Sequence, residues 1–246
     1  MRPPSYDGRL SVVVPVRNEA GNVEPLVSEI AAALAGLVAF EIVYVDDGSD
    51  DATPAELLRL RERVPQLRVV RHARCCGQSA AIVTGVRRAQ YPWIATLDGD
   101  GQNDPADILV LLSRLAAARP EDNLHMLAGW RAKRRDTWLR RLSSRVANGV
   151  RGRLLRDRTP DTGCGLKVFS REAFLHLPYF DHMHRFLPAL VQRQGGRVES
   201  IVVRHRPRTR GTSKYGLFDR LWVGIVDLAG VGWLMARSHV PEVIDG

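Results

Sequence analysis

The chain has 246 residues, 45% of them hydrophobic, and carries 36 Lys and Arg against 27 Asp and Glu, a net charge of +9. That composition excludes a disordered chain and supplies a packed core for one large domain or two small ones. Three cysteines, Cys75 and Cys76 adjacent and Cys164 alone, make by their spacing neither a disulfide framework nor a zinc site, which points to a reducing cytosolic compartment.

The opening MRPPSYDGRL is polar as far as Leu10, so no secretion signal is expected. Strands are predicted at LSVVVPV (Leu10 to Val16), FEIVYVD (Phe40 to Asp46), LRVVRH (Leu67 to His72), WIATLD (Trp93 to Asp98) and HMLAGW (His125 to Trp130). Between them, Val23–Leu34, Pro54–Arg63, Ser79–Ala89 and Ile108–Ala118 have helical apolar spacing. The alternation predicts an α/β fold: a mostly parallel sheet with helices on both faces, binding ligands beyond the carboxyl ends of its strands. Polar clusters sit there: RNE after the first strand, DDGSDD after the second and DGDGQND after the fourth.

The second half is less regular. From Trp138 to Leu155, apolar residues Trp138, Leu142, Val146, Val150 and Leu154 fall four apart among arginines. The span Arg131 to Arg158 holds 11 basic residues against two acids, a surplus equal to the whole net charge. An excess so confined points to a local anionic partner: nucleic acid, phospholipid or a phosphorylated substrate. Its apolar stripe reads equally as a core face and as a helix lying on an anionic membrane surface. SIVVRHRPR predicts a further strand, and Leu217 to Arg237 an apolar helix interrupted by Asp227, with uncharged runs well below the roughly 20 residues that span a bilayer.

In VDDGSDDAT, Ser49, Asp50 and Asp51 are expected to cap the following helix, while Asp46 or Asp47 could receive the N–H of a nucleotide base. In DGDGQND, Asp98 and Asp100 repel one another unless a cation lies between them. With Gln102 as a neutral oxygen they suit Mg²⁺ or Mn²⁺ shared with a substrate diphosphate. The other reading of the same residues is a solvated turn in which Asp104 caps the next helix.

VVPVRNE, VDDGSDD, LDGDGQNDP, DTGCGLKVF and RTRGTSKYG follow one another in an order that resembles an inverting family 2 glycosyltransferase with a GT-A-type fold. More narrowly it resembles the dolichol-phosphate mannosyltransferase group and its bacterial polyprenyl-phosphate relatives, from Leu10 to Tyr215. The resemblance implies a catalytic domain over residues 1–215, including the basic segment 131–158, and a C-terminal apolar helix and tail over 216–246 for docking at a membrane or partner. Pro15, Asn18 and Glu19 match the segment lining the nucleoside pocket, and Asp47 the acid that reads the base. Arg17 departs from the aromatic residue often found there. Asp98, Asp100 and Gln102 match the metal and diphosphate triplet, while Arg208, Ser213 and Lys214 match a mobile loop that closes over the donor phosphates. Arg131 matches a basic residue near the acceptor phosphate, with Arg145 beside it. Gly77 and Gln78, in CCGQSAA, are expected near the donor, with Cys75 and Cys76 structural.

The chemistry agrees. A sugar leaving a nucleoside diphosphate develops negative charge that a divalent ion and Arg or Lys can stabilise. A phosphate acceptor is already anionic and needs cations rather than a base; a hydroxyl acceptor needs a placed base, for which Asp161 is the obvious candidate. The expected activity is therefore transfer of one sugar from a GDP- or UDP-linked donor to a polyprenyl phosphate, by a protein peripheral to the cytoplasmic membrane face. The runner-up is a same-fold enzyme acting on a hydroxyl of a glycolipid or polysaccharide. A nucleic-acid module leaves DGDGQNDP without a role, and few aromatics (Trp130, Trp138) accompany the basic cluster.

Overall fold

In the computed structural model, residues 3–132, 149, 152, 154–155, 157, 159–207 and 217–237 are described. The elements run β1 (Arg9–Val16), α1 (Val23–Leu34), β2 (Ala39–Asp46), α2 (Thr53–Arg63), β3 (Leu67–Arg71), α3 (Gln78–Arg88), β4 (Trp93–Thr96), α4 (Asp107–Ala116) and β5 (Leu124–Trp130). They continue with β6 (Lys167–Ser170), α5 (Arg171–Leu175), α6 (Leu187–Arg193), β7 (Arg197–Val202) and α7 (Leu217–Ala236). The strands form one sheet in the order β3-β2-β1-β4-β6-β5-β7. Every pairing is parallel except those of β6, which runs antiparallel to both β4 and β5.

The near-continuous apolar strands predicted for a doubly covered sheet are what the core uses. Along β1, Leu10, Val12, Val14 and Val16 join one core cluster with α1, α2 and α4, while Val13 enters the cluster on the opposite face with Ile82 and Val86 of α3. This is the period-two alternation of a strand buried on both sides. The second face is completed by Phe174, Leu187 and Leu190, and by Val231 of α7. One buried acid is tied down within it: Glu41 accepts from Ser11 Oγ, the Gln90 backbone N–H and Arg68, each at 2.6 Å.

The strand predicted from Ser200 onward starts earlier, at Arg197, and stops at Val202. The chain leaves the sheet where Asp107 accepts from the Arg204 backbone N–H at 2.6 Å and from its guanidinium at 2.9 Å. β6 has no counterpart among the predicted strands. Most of the basic segment 131–158 lies outside the described residues. Among those described, no helix is long and apolar enough to cross a membrane.

Helix α3 lies close on β1 through Gly85, where a Cβ would fall well inside contact with Val13 Cγ1 and 3.2 Å from Val45 Cγ2. Gly85→Ala should therefore destabilise the fold by about 1–3 kcal/mol despite its better helix propensity. Urea denaturation checks this, with a lower midpoint at unchanged slope as the expected result.

Candidate active site

The parallel strands β1, β2 and β4 end on one edge of the sheet, and a cavity of about 570 Å³ opens there. Because β6 runs the other way, its first residue, Lys167, lies opposite Thr96 at the carboxyl end of β4. The turn that precedes β6 is thereby carried to the same edge as the three predicted polar clusters. The cavity is lined by Pro15, Arg17, Glu19, Asp47, Cys75 and Gly77 among others beyond β1 and β2, by Asp98, Asp100, Gln102, Arg131 and Lys167 among others on the opposite side, and by Arg185.

Asp98 forms the floor. Burial, followed by the charge of Asp100, pushes its carboxyl above the usual carboxylate range, with Lys167, Arg131 and the Gln78 amide acting against the rise. Gln78 Nε2 donates to Asp98 Oδ1 at 3.0 Å, which places Gln78 in the site as expected. A Cβ at Gly165 would collide with the Asp98 carboxylate, so the turn before β6 can close on this acid only because glycine stands there. Asp100 Oδ1 accepts the Gln102 backbone N–H at 3.1 Å, which folds the DGDGQ turn on itself.

Lys167 was not singled out by motif reading, yet it is the buried cation of the floor. Its ammonium donates to the Cys164 carbonyl, and burial lowers its pKa while Cys164, Asp98 and Asp161 act in the opposite sense. Arg131 reaches the cavity as expected, but its guanidinium is held in a fork by Asp161, from Nε at 2.7 Å and Nη2 at 2.8 Å. Burial works against the Arg131 charge; the Asp161 carboxylate more than offsets it and raises its pKa. The candidate base and the candidate acceptor cation are thus each other's partner.

Asp47 lines the nucleoside side, with its carboxylate already well supplied with donors. Oδ1 takes His72 Nδ1 and the Cys76 N–H, both at 2.8 Å; Oδ2 takes the Cys75 thiol at 3.2 Å and the Gly77 N–H at 2.8 Å. Burial opposes its ionisation, and these bonds together still hold its pKa below the ordinary value. A base N–H reaching Asp47 would have to take the place of the Cys75 thiol, the longest of the four contacts. Gly77 itself adopts φ +92°, and a side chain there would press on Asp181.

Asn18 is turned away from the cavity lining. Its carboxamide donates to Asp50 Oδ1 at 2.5 Å and accepts the Asp50 N–H at 3.0 Å. The DDGSDD residues expected to cap α2 mostly tie this loop: Ser49 Oγ accepts from Asn18 N, and Asp51 accepts from both Ala20 N and Thr53 N. Asp104 does bond the start of α4, through Ala106 N at 3.1 Å, and also pairs with Arg204 and Arg206. Arg145, Arg208, Ser213 and Lys214 lie outside the described residues.

His184, also unanticipated, lines the cavity beside Ser79 at the start of α3. Ser79 Oγ accepts from the His184 backbone N–H at 3.4 Å and lies 2.8 Å from the ring Nδ1. Burial, with Lys167 and Arg185 nearby, drives its pKa down to about 3.

The donor sets differ in kind. Asp98, Asp100 and Gln102 offer oxygen alone, the chemistry of Mg²⁺ or Mn²⁺ sites. Among the described residues, the one group of three His, Cys, Asp or Glu side chains within reach of a single ion is Asp47, His72 and Cys76, a borderline nitrogen and sulfur set unsuited to those hard ions.

A parallel-dominated sheet with an acidic turn at the end of β4 and a pocket crossing three strand ends defines a GT-A-type domain. Residues 11–177 match the family described as glycosyl transferase family 2, and the chain belongs to that family. It is 39% identical, over 94% of its length and 69% of the relative's, to a dodecaprenyl-phosphate galacturonate synthase of Rhizobium johnstonii. It is 35% identical, over 85% of its length, to an undecaprenyl-phosphate 4-deoxy-4-formamido-L-arabinose transferase of Edwardsiella ictaluri, of which it spans 63%. In fold it is similar to glucosyl-3-phosphoglycerate synthase of Mycobacterium tuberculosis in complex with Mg²⁺ and UDP (TM-score 0.66, 17% identity, 96% of this chain and 81% of that one). It is also similar to the mannosyltransferase PcManGT of Pyrobaculum calidifontis in complex with GDP-Man and Mn²⁺ (TM-score 0.64, 20% identity, 98% and 68%).

Asp161→Asn leaves a nearly buried guanidinium unpaired and should cost about 3–5 kcal/mol in denaturation experiments, part of which the double variant with Arg131→Met restores. His184 gives a pH signature: below pH 6.5 the unfolded chain takes up a proton that the folded chain refuses until about pH 3. Stability should therefore fall as pH drops from 6.5 toward the carboxylate range, and His184→Gln should flatten that limb of a melting-temperature profile.

Proposed function

We propose that the protein transfers one sugar, with inversion, from a nucleotide-linked donor to a polyprenyl phosphate, as a peripheral protein at the cytoplasmic membrane face. The observation that carries the choice of acceptor is the engagement of the candidate base: Asp161 is held by Arg131 through both oxygens, and the His184 ring, its pKa lowered by burial, is a weak base. A hydroxyl acceptor needs such a group, whereas a phosphate monoester brings its own anionic oxygen. That oxygen attacks the anomeric carbon, the bond to the diphosphate oxygen breaks, and the electron pair leaves with the nucleoside diphosphate.

Pro15, Glu19, Asp47 and Gly77 form the nucleoside wall, and Gln78 orients Asp98. Asp98, Asp100 and Gln102 would hold a divalent cation, which when bound supplies positive charge to the leaving diphosphate. We assign Arg208, Ser213 and Lys214 to the donor phosphates and Arg145 to the acceptor side on the family pattern alone, and the basic surplus of 131–158 to an anionic membrane surface. The relatives named above act on dodecaprenyl and undecaprenyl phosphates, which supports this acceptor class.

Asp100→Ala should abolish sugar transfer, measured with radiolabelled nucleotide sugars and polyprenyl phosphate, while leaving the melting temperature of the protein close to that of the parent. The lipid product should release its sugar in mild acid, as a sugar phosphate does. An acid-stable glycoside, or full activity in excess chelator, overturns the acceptor or the metal assignment respectively.

A further inference from the structure

The cations of the site are not equivalent. Arg131 is committed to Asp161, and Lys167 is buried against the Cys164 carbonyl beside Asp98. Arg185 lines the same cavity, and among the described residues its guanidinium has no hydrogen-bond or ion-pair partner. Its backbone is nonetheless fixed: it ends the 3₁₀ turn Met183–Arg185, donates its N–H to the His182 carbonyl at 3.0 Å, and lies between the buried side chains of Met183 and Phe186. A guanidinium held at the wall of a cavity without a protein anion to meet it is a site for a substrate oxyanion.

We propose that Arg185 binds the phosphate of the acceptor, an assignment that rests on the function proposed above. Arg185 belongs to the segment after β6, which meets the start of α3: Asp181 faces Gly77, and Ser79 Oγ meets His184. The surroundings suit a phosphate with a hydrocarbon tail. Three residues before Arg185, His182 pairs with Asp227 of α7 at 3.0 Å, tying the turn to a helix whose outward residues Ile225, Val226 and Trp233 are 52%, 54% and 62% exposed. Asp227, a charge within a mostly apolar helix, thus joins an apolar surface to the wall that carries the unpartnered cation. Arg185 is a binding residue for the lipid phosphate, and Arg131, locked to Asp161, shapes the cavity behind it.

The test is a steady-state comparison of the parent with Arg185→Gln and Arg185→Lys, varying polyprenyl phosphate at saturating donor, with nucleoside diphosphate binding and melting temperature measured alongside. Arg185→Gln should raise KM for the lipid phosphate roughly 10- to 100-fold. Nucleoside diphosphate affinity and melting temperature should stay near those of the parent, and Arg185→Lys should recover part of the loss. An unchanged lipid KM, or an equal loss of nucleoside diphosphate affinity, overturns the assignment. So does a defect confined to uronosyl donors and absent with neutral hexosyl donors, because it would place a sugar carboxylate on Arg185. A parent protein that glycosylates no polyprenyl phosphate with any donor overturns the underlying function, a result distinguishable because it appears before any substitution is made.

Discussion

The ligand edge is organised around the difficulty of keeping a carboxylate at the inner end of a buried strand. Asp98 follows β4, whose four residues are all buried, and Asp100 adds a like charge two residues on. An isolated ion in such a place costs several kcal/mol even after relaxation, so something must meet it. Here the Gln78 amide, the Lys167 ammonium and the Arg131 guanidinium do so, and each comes from a different element. The antiparallel β6 is what makes this convergence possible. A parallel strand in the same slot would send its leading turn to the opposite edge, taking Lys167 and Asp161 with it. Gly165 follows from the same constraint, since any side chain would occupy the space of the carboxylate.

The polar residues at the end of β2 obey a different logic. Asp46, Asp47, Ser49, Asp50 and Asp51 spend their acceptors on backbone amides and neighbouring side chains of the adjoining loops. The result is a nucleoside wall fixed before any ligand arrives. Polar groups ordered in advance need not reorganise when charge develops, which is the usual source of catalytic electrostatics. Gly48 belongs to this arrangement, with φ +67° and the Arg74 and Cys75 backbone under 3 Å from where its Cβ would be. The wall is therefore made by two loops closing on one another, with Asp47 as the clasp.

The β-α alternation was legible because each strand from β1 to β5 is a dense apolar run and each intervening helix carries apolar residues on one face. The observed elements differ from the predicted ones by a residue or two at the ends. β6 was hidden for a physical reason: four residues, KVFS, are too few for a period to register, and its place between β4 and β5 depends on long-range pairing. The site was legible as a set of loops. Pro15, Glu19, Asp47, Gly77, Gln78, Asp98, Asp100, Gln102 and Arg131 do converge on one edge. What the motifs did not convey was partnership: that Arg131 and Asp161 would cancel, that Asn18 would face Asp50, and that Asp47 would be loaded with donors. Lys167 and His184 stood in stretches where a lone Lys or His carries no spacing signal, and only the buried surroundings distinguish them.

Partnership also decides where the attraction for two anionic substrates arises. Inside the cavity, Asp98 and Asp100 are set against Lys167, and Asp161 against Arg131, so the fixed charges of the floor largely balance one another. A donor diphosphate and an acceptor phosphate brought together there would repel, with Arg185 the fixed charge of the described lining left to oppose them. The surplus of the chain lies instead in the span from Arg131 to Arg158, beginning at the end of β5. Charge of one sign concentrated in one stretch of a chain acts at a distance, raising the local concentration of anions rather than binding any one of them, and it weakens as salt shortens the Debye length. The division is between a balanced interior that fixes geometry and a basic stretch of sequence whose charge is not balanced within it. A reaction joining two anions requires both, because geometry alone leaves the repulsion and attraction alone leaves the reacting atoms unaligned.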